Sequence, residues 1–136
     1  MSEKMISSDN LSKDLLKNIF DDAYLDAGFD EKDGDLYVKE TWKTWFFLDE
    51  KKRYFSMSLY FIINEDSSMA ERLEYASNVT REFILIKANV EKTVIAFKTY
   101  VWLEGGMTYK NIIKTYKAFL WVTEAALDDD KKNVLS

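Results

Sequence analysis

The 136-residue sequence contains no cysteine and no histidine. Without cysteine the chain can form neither disulfides nor thiolate metal sites. Without histidine it lacks the commonest general base and the commonest metal ligand of proteins. Ser56 and Ser58 have no histidine to activate them, and no Gly-x-Ser-x-Gly element is present. The sequence therefore predicts a protein that is not an enzyme and that uses no cofactor or metal.

Positive charge and long apolar segments are also scarce. The 19 Lys and Arg residues are outnumbered by 24 Asp and Glu residues, which gives a net charge of −5. An acidic protein repels phosphate backbones, so nucleic-acid binding is not expected. Even the longest apolar runs, such as residues 59–63, are far shorter than the roughly 20 residues of a membrane span. The N-terminal residues lack the apolar core of a secretory signal, and we expect a cytoplasmic protein without membrane contact.

Proline is absent as well, and no low-complexity linker interrupts the chain. A chain of this length can bury about two thirds of its surface, enough for one core without a disulfide or a metal. We therefore predict a single domain over residues 1–136, with an ordered core from about residue 9 to residue 127 and a charged tail over 128–136.

Three segments have the periodicity of amphipathic helices. Apolar residues recur at three- and four-residue steps from Leu11 to Ala27, which predicts a helix that begins at Ser8 or Asp9 and stops at Gly28. A second helix is capped by Ser67 or Ser68 and has an apolar stripe of Met69, Leu73 and Ala76. Thr108 caps a third helix, and the glycine pair before it, Gly105-Gly106, makes the backbone turn.

Between the helices the pattern is typical of strands. The predicted strands are Leu36–Val38, Thr44–Leu48, Tyr54–Ile63, Phe83–Ala88 and Thr93–Leu103. The order is therefore α-β-β-β-α-β-β-α. Because short hairpins join the strands within each group, we predict an α+β fold with a mainly antiparallel sheet and helices packed on it.

Two acidic segments invite a metal-site interpretation. If Gly34 is aligned with the glycine of an EF-hand loop, Glu31, Asp33 and Glu40 fall at ligand positions, but Phe29 then occupies the first ligand position. We favour a hairpin turn there. Asp128–Asp130 are consecutive at a helix end and point in different directions, so we interpret them as part of the solvated tail.

Aromatic residues make up 15% of the chain, and strand alternation divides many of them between two faces. The first face is predicted to be core and carries Phe55, Leu59, Phe61, Ile95, Phe97, Val101 and Leu103. The second face carries Tyr54, Tyr60, Tyr100 and Trp102, with Tyr37 as a further candidate and Ser56, Ser58 and Lys98 between them. Tyrosine and tryptophan with small polar neighbours are typical of protein contact surfaces. The alternative is that a helix or loop of the same chain covers this face.

Several local features resemble the YbjN family of proposed bacterial sensory transduction regulators, whose domains are similar in fold to type III secretion chaperones. The resemblance covers about residues 9–127. It rests on the first helix, the turn into Gly34-Asp35-Leu36-Tyr37-Val38, the middle helix with Asn78, and Leu103-Glu104-Gly105-Gly106 before the last helix. It implies a chaperone-like α+β fold and no established catalytic residues.

These observations predict a non-catalytic regulatory or adaptor domain that binds protein, with a second copy of itself as the first candidate partner. An alternative is a secretion chaperone that holds an extended client segment. A third is a domain that binds or converts a small ligand in a pocket between sheet and helix. The candidate interaction residues are Tyr54, Tyr60, Tyr100 and Trp102.

Overall fold

Three helices and eight strands make up the computed structural model, which describes residues 4–136. The helices are α1 (Lys13–Asp22), α2 (Met69–Glu82) and α3 (Tyr109–Asp128). The strands are β1 (Met5–Ile6), β2 (Asp26–Phe29), β3 (Leu36–Lys39), β4 (Lys43–Leu48), β5 (Tyr54–Ile62), β6 (Lys87–Val90), β7 (Val94–Trp102) and β8 (Met107–Thr108). No described helix is both long enough and apolar enough to cross a membrane.

Six strands form an antiparallel sheet in the order β2-β3-β4-β5-β7-β6, and β1 pairs with β8 in a separate two-stranded sheet. The predicted α+β class with a mainly antiparallel sheet is confirmed. All eight predicted elements are present in the predicted order. The sequence pattern missed three short strands, β1, β2 and β8.

The first helix is shorter than predicted at both ends. Its N-cap is Ser12, whose side chain accepts a hydrogen bond from the amide of Leu15, so the predicted caps at Ser8 and Asp9 were wrong. After Asp22 the chain reverses at Tyr24, which has a left-handed φ of 63°. The predicted stop at Gly28 was also wrong, because Gly28 lies inside β2 and is paired with Tyr37 of β3.

The second helix begins as predicted at Ser68. The Ser68 hydroxyl accepts from the amide of Glu71 at 3.1 Å, and the Glu71 carboxylate accepts from the amide of Ser68 at 2.8 Å. The predicted apolar stripe was partly wrong, because Met69 and Leu73 are more than half exposed while Ala76 is buried. The predicted strand from Phe83 starts four residues later, at Lys87 of β6, after a turn in which Leu85 has a φ of 67°.

Ser68→Ala is expected to lower the free energy of unfolding by about 1 kcal/mol, because it leaves the amide of Glu71 without its side-chain acceptor. Urea denaturation followed by circular dichroism measures the change. Ser77→Ala, at an exposed position inside the same helix, is the control and should change stability by no more than a few tenths of a kcal/mol. Equal effects of the two substitutions would contradict the capping role.

The chain divides into two compact units. The first comprises residues up to Met57 together with Tyr100–Tyr116, and its core is aromatic. Phe20 of α1 lies 5.1 Å from Phe46 and 5.2 Å from Tyr116, measured between ring centroids, and Phe46 lies 5.9 Å from Phe55. Such tilted and edge-on pairs add to the free energy gained by burying the rings.

The second unit comprises Ser58–Thr99 and Lys117–Ser136. Here Phe97 of β7 packs against Phe61 and Tyr75, with ring centroids 5.4 Å and 6.4 Å away. The hydroxyl of Tyr75 donates to the carbonyl of Ala126 at 2.8 Å and thereby joins α2 to α3. Six of the seven predicted core residues are no more than 3% exposed, and Phe61 is half-buried.

The segment after α3, predicted to be a charged tail, docks within the second unit. Val134 is 1% exposed, and Leu135 forms an antiparallel bridge with Ile63. One of the three aspartates has a structural role, because the Asp130 carboxylate accepts from the amides of Val134 and Leu135, each at 2.9 Å. The single-domain prediction over residues 1–136 stays a prediction.

Candidate protein-interaction surface

A tight hairpin between β4 and β5 places the first candidate residue, Tyr54. The amide of Asp49 donates to the carbonyl of Tyr54 at 3.0 Å. The Asp49 carboxylate accepts from the Arg53 guanidinium at 2.7 Å and from the Arg53 amide at 3.2 Å. The hydrogen bond from the Arg53 guanidinium lowers the pKa of Asp49 below its usual value. These contacts fix the start of β5.

Tyr54, Tyr100 and Trp102 come together in the first unit, and we call them the aromatic cluster. The ring of Tyr54 stacks on Trp102 with centroids 6.1 Å apart and an interplanar angle of 15°. It meets Tyr100 edge-on at 5.8 Å. Tyr100 and Trp102 are 55% and 56% exposed, and Tyr54 is half-buried between them. The cluster therefore presents two large aromatic side chains to solvent.

Strand alternation explains why the cluster is not part of the core. Phe55 follows Tyr54 in β5, so its side chain points to the opposite face of the sheet. That face is the one covered by α1, since Phe46 contacts both Phe55 and Phe20. In β7 the same alternation buries Val101 between the exposed Tyr100 and Trp102.

The fourth candidate, Tyr60, belongs to the second unit and is 38% exposed. Its neighbour Ile62, which strand alternation places on the same face, is 67% exposed. The polar residues predicted to lie between the tyrosines contribute little surface. Ser56 is 8% exposed and Ser58 fully buried, whereas the half-buried Lys98 lies 4.0 Å from the Glu91 carboxylate.

A second pair of aromatic residues lies on the outer face of the first unit. Tyr37 and the opposing Trp45 are 5.5 Å apart, and the Lys43 ammonium lies 4.1 Å and 4.8 Å from their ring centroids. The ring of Tyr37 crosses Gly28 so closely that a Cβ there would meet the tyrosine hydroxyl at 2.8 Å. The sequence interpretation named Tyr37 and missed Lys43 and Trp45, although alternation in β4 from the buried Thr44 and Phe46 could have found them.

One of the residues considered for metal binding, Glu40, has another partner. Across residues 4–136 no group of three or more acidic side chains is arranged to hold a metal ion. The Glu40 carboxylate accepts a hydrogen bond of 2.8 Å from the hydroxyl of Tyr116. Gly105 and Gly106 have φ values of 92° and 86°, which fits the backbone turn predicted for them. The amide of Asn111 donates to the Thr108 hydroxyl at 3.1 Å, as expected for the predicted cap of α3.

Burial changes the acidity of two tyrosines outside the cluster. The phenol pKa of Tyr75 is raised above its ordinary value by burial, with Asp130 and Asp129 adding to the effect. The pKa of Tyr116 is raised by burial and by its hydrogen bond to Glu40. Both tyrosines are less than a tenth exposed, and their hydroxyls donate to acceptors within their own units. They act as structural groups.

No protein-family model and no curated protein matches the chain. Among solved structures it is similar to YbjN from E. coli, described as a candidate transcription regulator. The TM-score is 0.77 at 11% identity, covering 93% of this chain and 96% of that one. It is also similar to an uncharacterized protein from Methanothermobacter thermautotrophicus, with a TM-score of 0.65 at 12% identity over 91% and 99% of the two chains. The resemblance to YbjN is thus confirmed at the level of the fold.

Proposed function

We propose that this YbjN-like chain is a non-catalytic, cytoplasmic regulatory or adaptor domain that binds protein, and that its first partner is a second copy of itself. The observation that carries the proposal is the exposure of the aromatic cluster. Tyr100 and Trp102 are each more than half exposed on an extended strand, next to the ring of Tyr54. Tyrosine and tryptophan are the residue types most enriched where binding energy is concentrated in protein interfaces.

The cluster fits a protein partner better than a small molecule. It lies on the outside of a sheet, whereas small-ligand sites are concave and bury most of their ligand. Its tyrosine hydroxyls and indole N–H can bond to water in the free protein and to a partner in a complex. Because the ring of Tyr54 contacts both Tyr100 and Trp102, less side-chain entropy is lost on binding.

A second copy is a suitable partner because the cluster is uncharged. In an isologous dimer each residue faces the same patch of the other copy, so a surface with charge of only one sign would repel itself. Tyr54, Tyr100 and Trp102 carry no charge at neutral pH and can interleave with their own copies. The centre of the interface would then consist of four aromatic side chains, Tyr100 and Trp102 from each of the two copies.

Light scattering on the purified protein at about 50 μM tests the proposal, since a functional dimer should be formed at that concentration. We expect a particle with twice the monomer mass. Burial of tryptophan in the dimer should also shift its fluorescence to shorter wavelength as the concentration rises. A monomer under these conditions would rule out the second copy as partner.

A further inference from the structure

The segment Asn133–Ser136, which we call the tail strand, extends the sheet of the second unit. The amide of Asn64 donates to the carbonyl of Val134 at 2.8 Å, and the amide of Ser136 donates to the carbonyl of Ile62 at 3.0 Å. Leu135 lies opposite Ile63 in an antiparallel bridge. The tail strand therefore pairs with the edge formed by Ile62–Asn64 in the way that an extended peptide adds to a sheet.

The other side of the same strand is paired independently. The amide of Ile63 donates to the carbonyl of Thr93 at 2.9 Å. Adjacent amides, those of Ile63 and Asn64, thus bond to different neighbours. Release of the tail strand would free the amide of Asn64 and leave the hydrogen bond from the Ile63 amide to the Thr93 carbonyl in place.

Few interactions hold the tail strand. Its one fully buried side chain is Val134. Ordering the backbone of this segment costs conformational entropy. The hydrogen bonds to the Asp130 carboxylate and to Asn64 offset part of that cost. Because only one buried side chain adds to these hydrogen bonds, the tail strand should open by local unfolding while the unit stays folded.

The surroundings of Val134 indicate which sequence the edge accepts. A cavity of about 200 Å³ beside Val134 is lined by Glu71, Glu74, Tyr75 and Asn78 of α2 and by residues 129–132. Lys132 places its ammonium 3.9 Å from the Glu74 carboxylate. One basic residue, Lys132, thus lies beside the acidic side of α2 just before the tail strand, and the tail strand itself buries the aliphatic Val134.

We propose that the edge Ile62–Asn64 binds an extended segment of a partner protein with the pattern Lys-x-aliphatic, and that the tail strand occupies this edge as an internal competitor. The inference rests on the proposed protein-binding function but uses a surface other than the aromatic cluster. A partner segment must displace the tail strand, whose tethering raises its effective concentration into the millimolar range. Binding therefore depends on how often the tail strand opens.

Hydrogen exchange on the full chain measures the opening. The amides of Asn64 and Ser136 should exchange at least about tenfold faster than the amide of Ile63, because the hydrogen bond from Ile63 to the Thr93 carbonyl remains formed. Equal protection of Asn64 and Ile63 would overturn the proposal, because the tail strand would then open only with the whole unit.

A labelled peptide, Lys-Lys-Asn-Val-Leu-Ser, tests the binding site directly. Val134→Asp places a charge at a buried position and should release the tail strand, so the variant should bind the peptide at least about tenfold more tightly than the unmodified chain. Val134→Ser is a milder variant for use if the aspartate variant does not fold. A peptide with aspartate in place of valine is the control and should not bind.

Further variants separate this proposal from the one above. Glu71→Gln with Glu74→Gln should weaken binding of the peptide, most strongly at low salt, because the acidic side of α2 loses its charge. Tyr100→Ser with Trp102→Ser should leave peptide binding unchanged. Failure of a folded Val134→Asp or Val134→Ser variant to bind the peptide would overturn the proposal, whatever the oligomeric state of the chain.

Discussion

Replacing Tyr100 and Trp102 together with serine is expected to raise the dissociation constant of the dimer by about a hundredfold or more. Truncating a residue at the centre of an interface often costs about 2 kcal/mol, and a symmetric dimer contains each residue twice. A hundredfold change corresponds to about 2.7 kcal/mol. Sedimentation equilibrium over a range of concentrations measures the dissociation constant.

The fold should survive this double substitution, because both side chains are more than half exposed in the single chain. The far-ultraviolet circular dichroism of the helices should therefore be unchanged. Trp121→Ser is the matched control, since Trp121 is 70% exposed on α3 of the second unit and lies outside the cluster. An equal loss of association in the control would contradict the assignment of the interface to the aromatic cluster.

Stability is expected to fall steeply above pH 10, because two buried tyrosines must remain protonated in the folded protein. The pKa values of Tyr75 and Tyr116 are raised in the folded state, so their contribution is complete below the unfolded value of about 10. Above that pH the unfolded chain releases both protons and the folded chain keeps them. The free energy of unfolding then decreases by about 1.4 kcal/mol per pH unit for each tyrosine.

The two groups together should lower the free energy of unfolding by about 5 kcal/mol between pH 10 and pH 12. Urea denaturation at a series of pH values measures the slope of the free energy of unfolding against pH. Tyr75→Phe with Tyr116→Phe should make the slope much shallower, at the cost of two hydrogen bonds near neutral pH. Tyr24→Phe, which changes a 97% exposed ring, is the control. A slope unaffected by the double substitution would contradict the role of these phenols.

Features that depend on neighbouring residues could be predicted from the sequence. Ser68 and Thr108 cap their helices through side-chain bonds to amides three residues away, so the signal is local. The alternation in β7 likewise separated the buried Val101 from the exposed Tyr100 and Trp102. These patterns sufficed for the fold class and for naming the three residues of the aromatic cluster, but they did not show that Tyr60 lies outside it.

Features that depend on distant pairing were missed. The two residues of β1 form a strand because Met5 lies opposite Thr108, more than a hundred residues away in sequence. The apolar period of α1 continues past Asp22, but Tyr24 takes a left-handed conformation more often seen for glycine or asparagine, and Asp26–Phe29 then pairs with β3. The docking of Val134 was missed because charged residues precede it. The sequence pattern does not show that the Asp130 carboxylate accepts from the amides of Val134 and Leu135.

The edge strand β2 limits how many copies can join. It contains only four residues, carries the exposed Asp26, and is followed by Asp30, Glu31 and Asp33. Two such edges brought side by side would place carboxylates of one molecule against those of the next, and natural sheets use charge at their borders to prevent this. A pair of molecules joined through the aromatic cluster would therefore not add further copies by pairing one β2 edge with another.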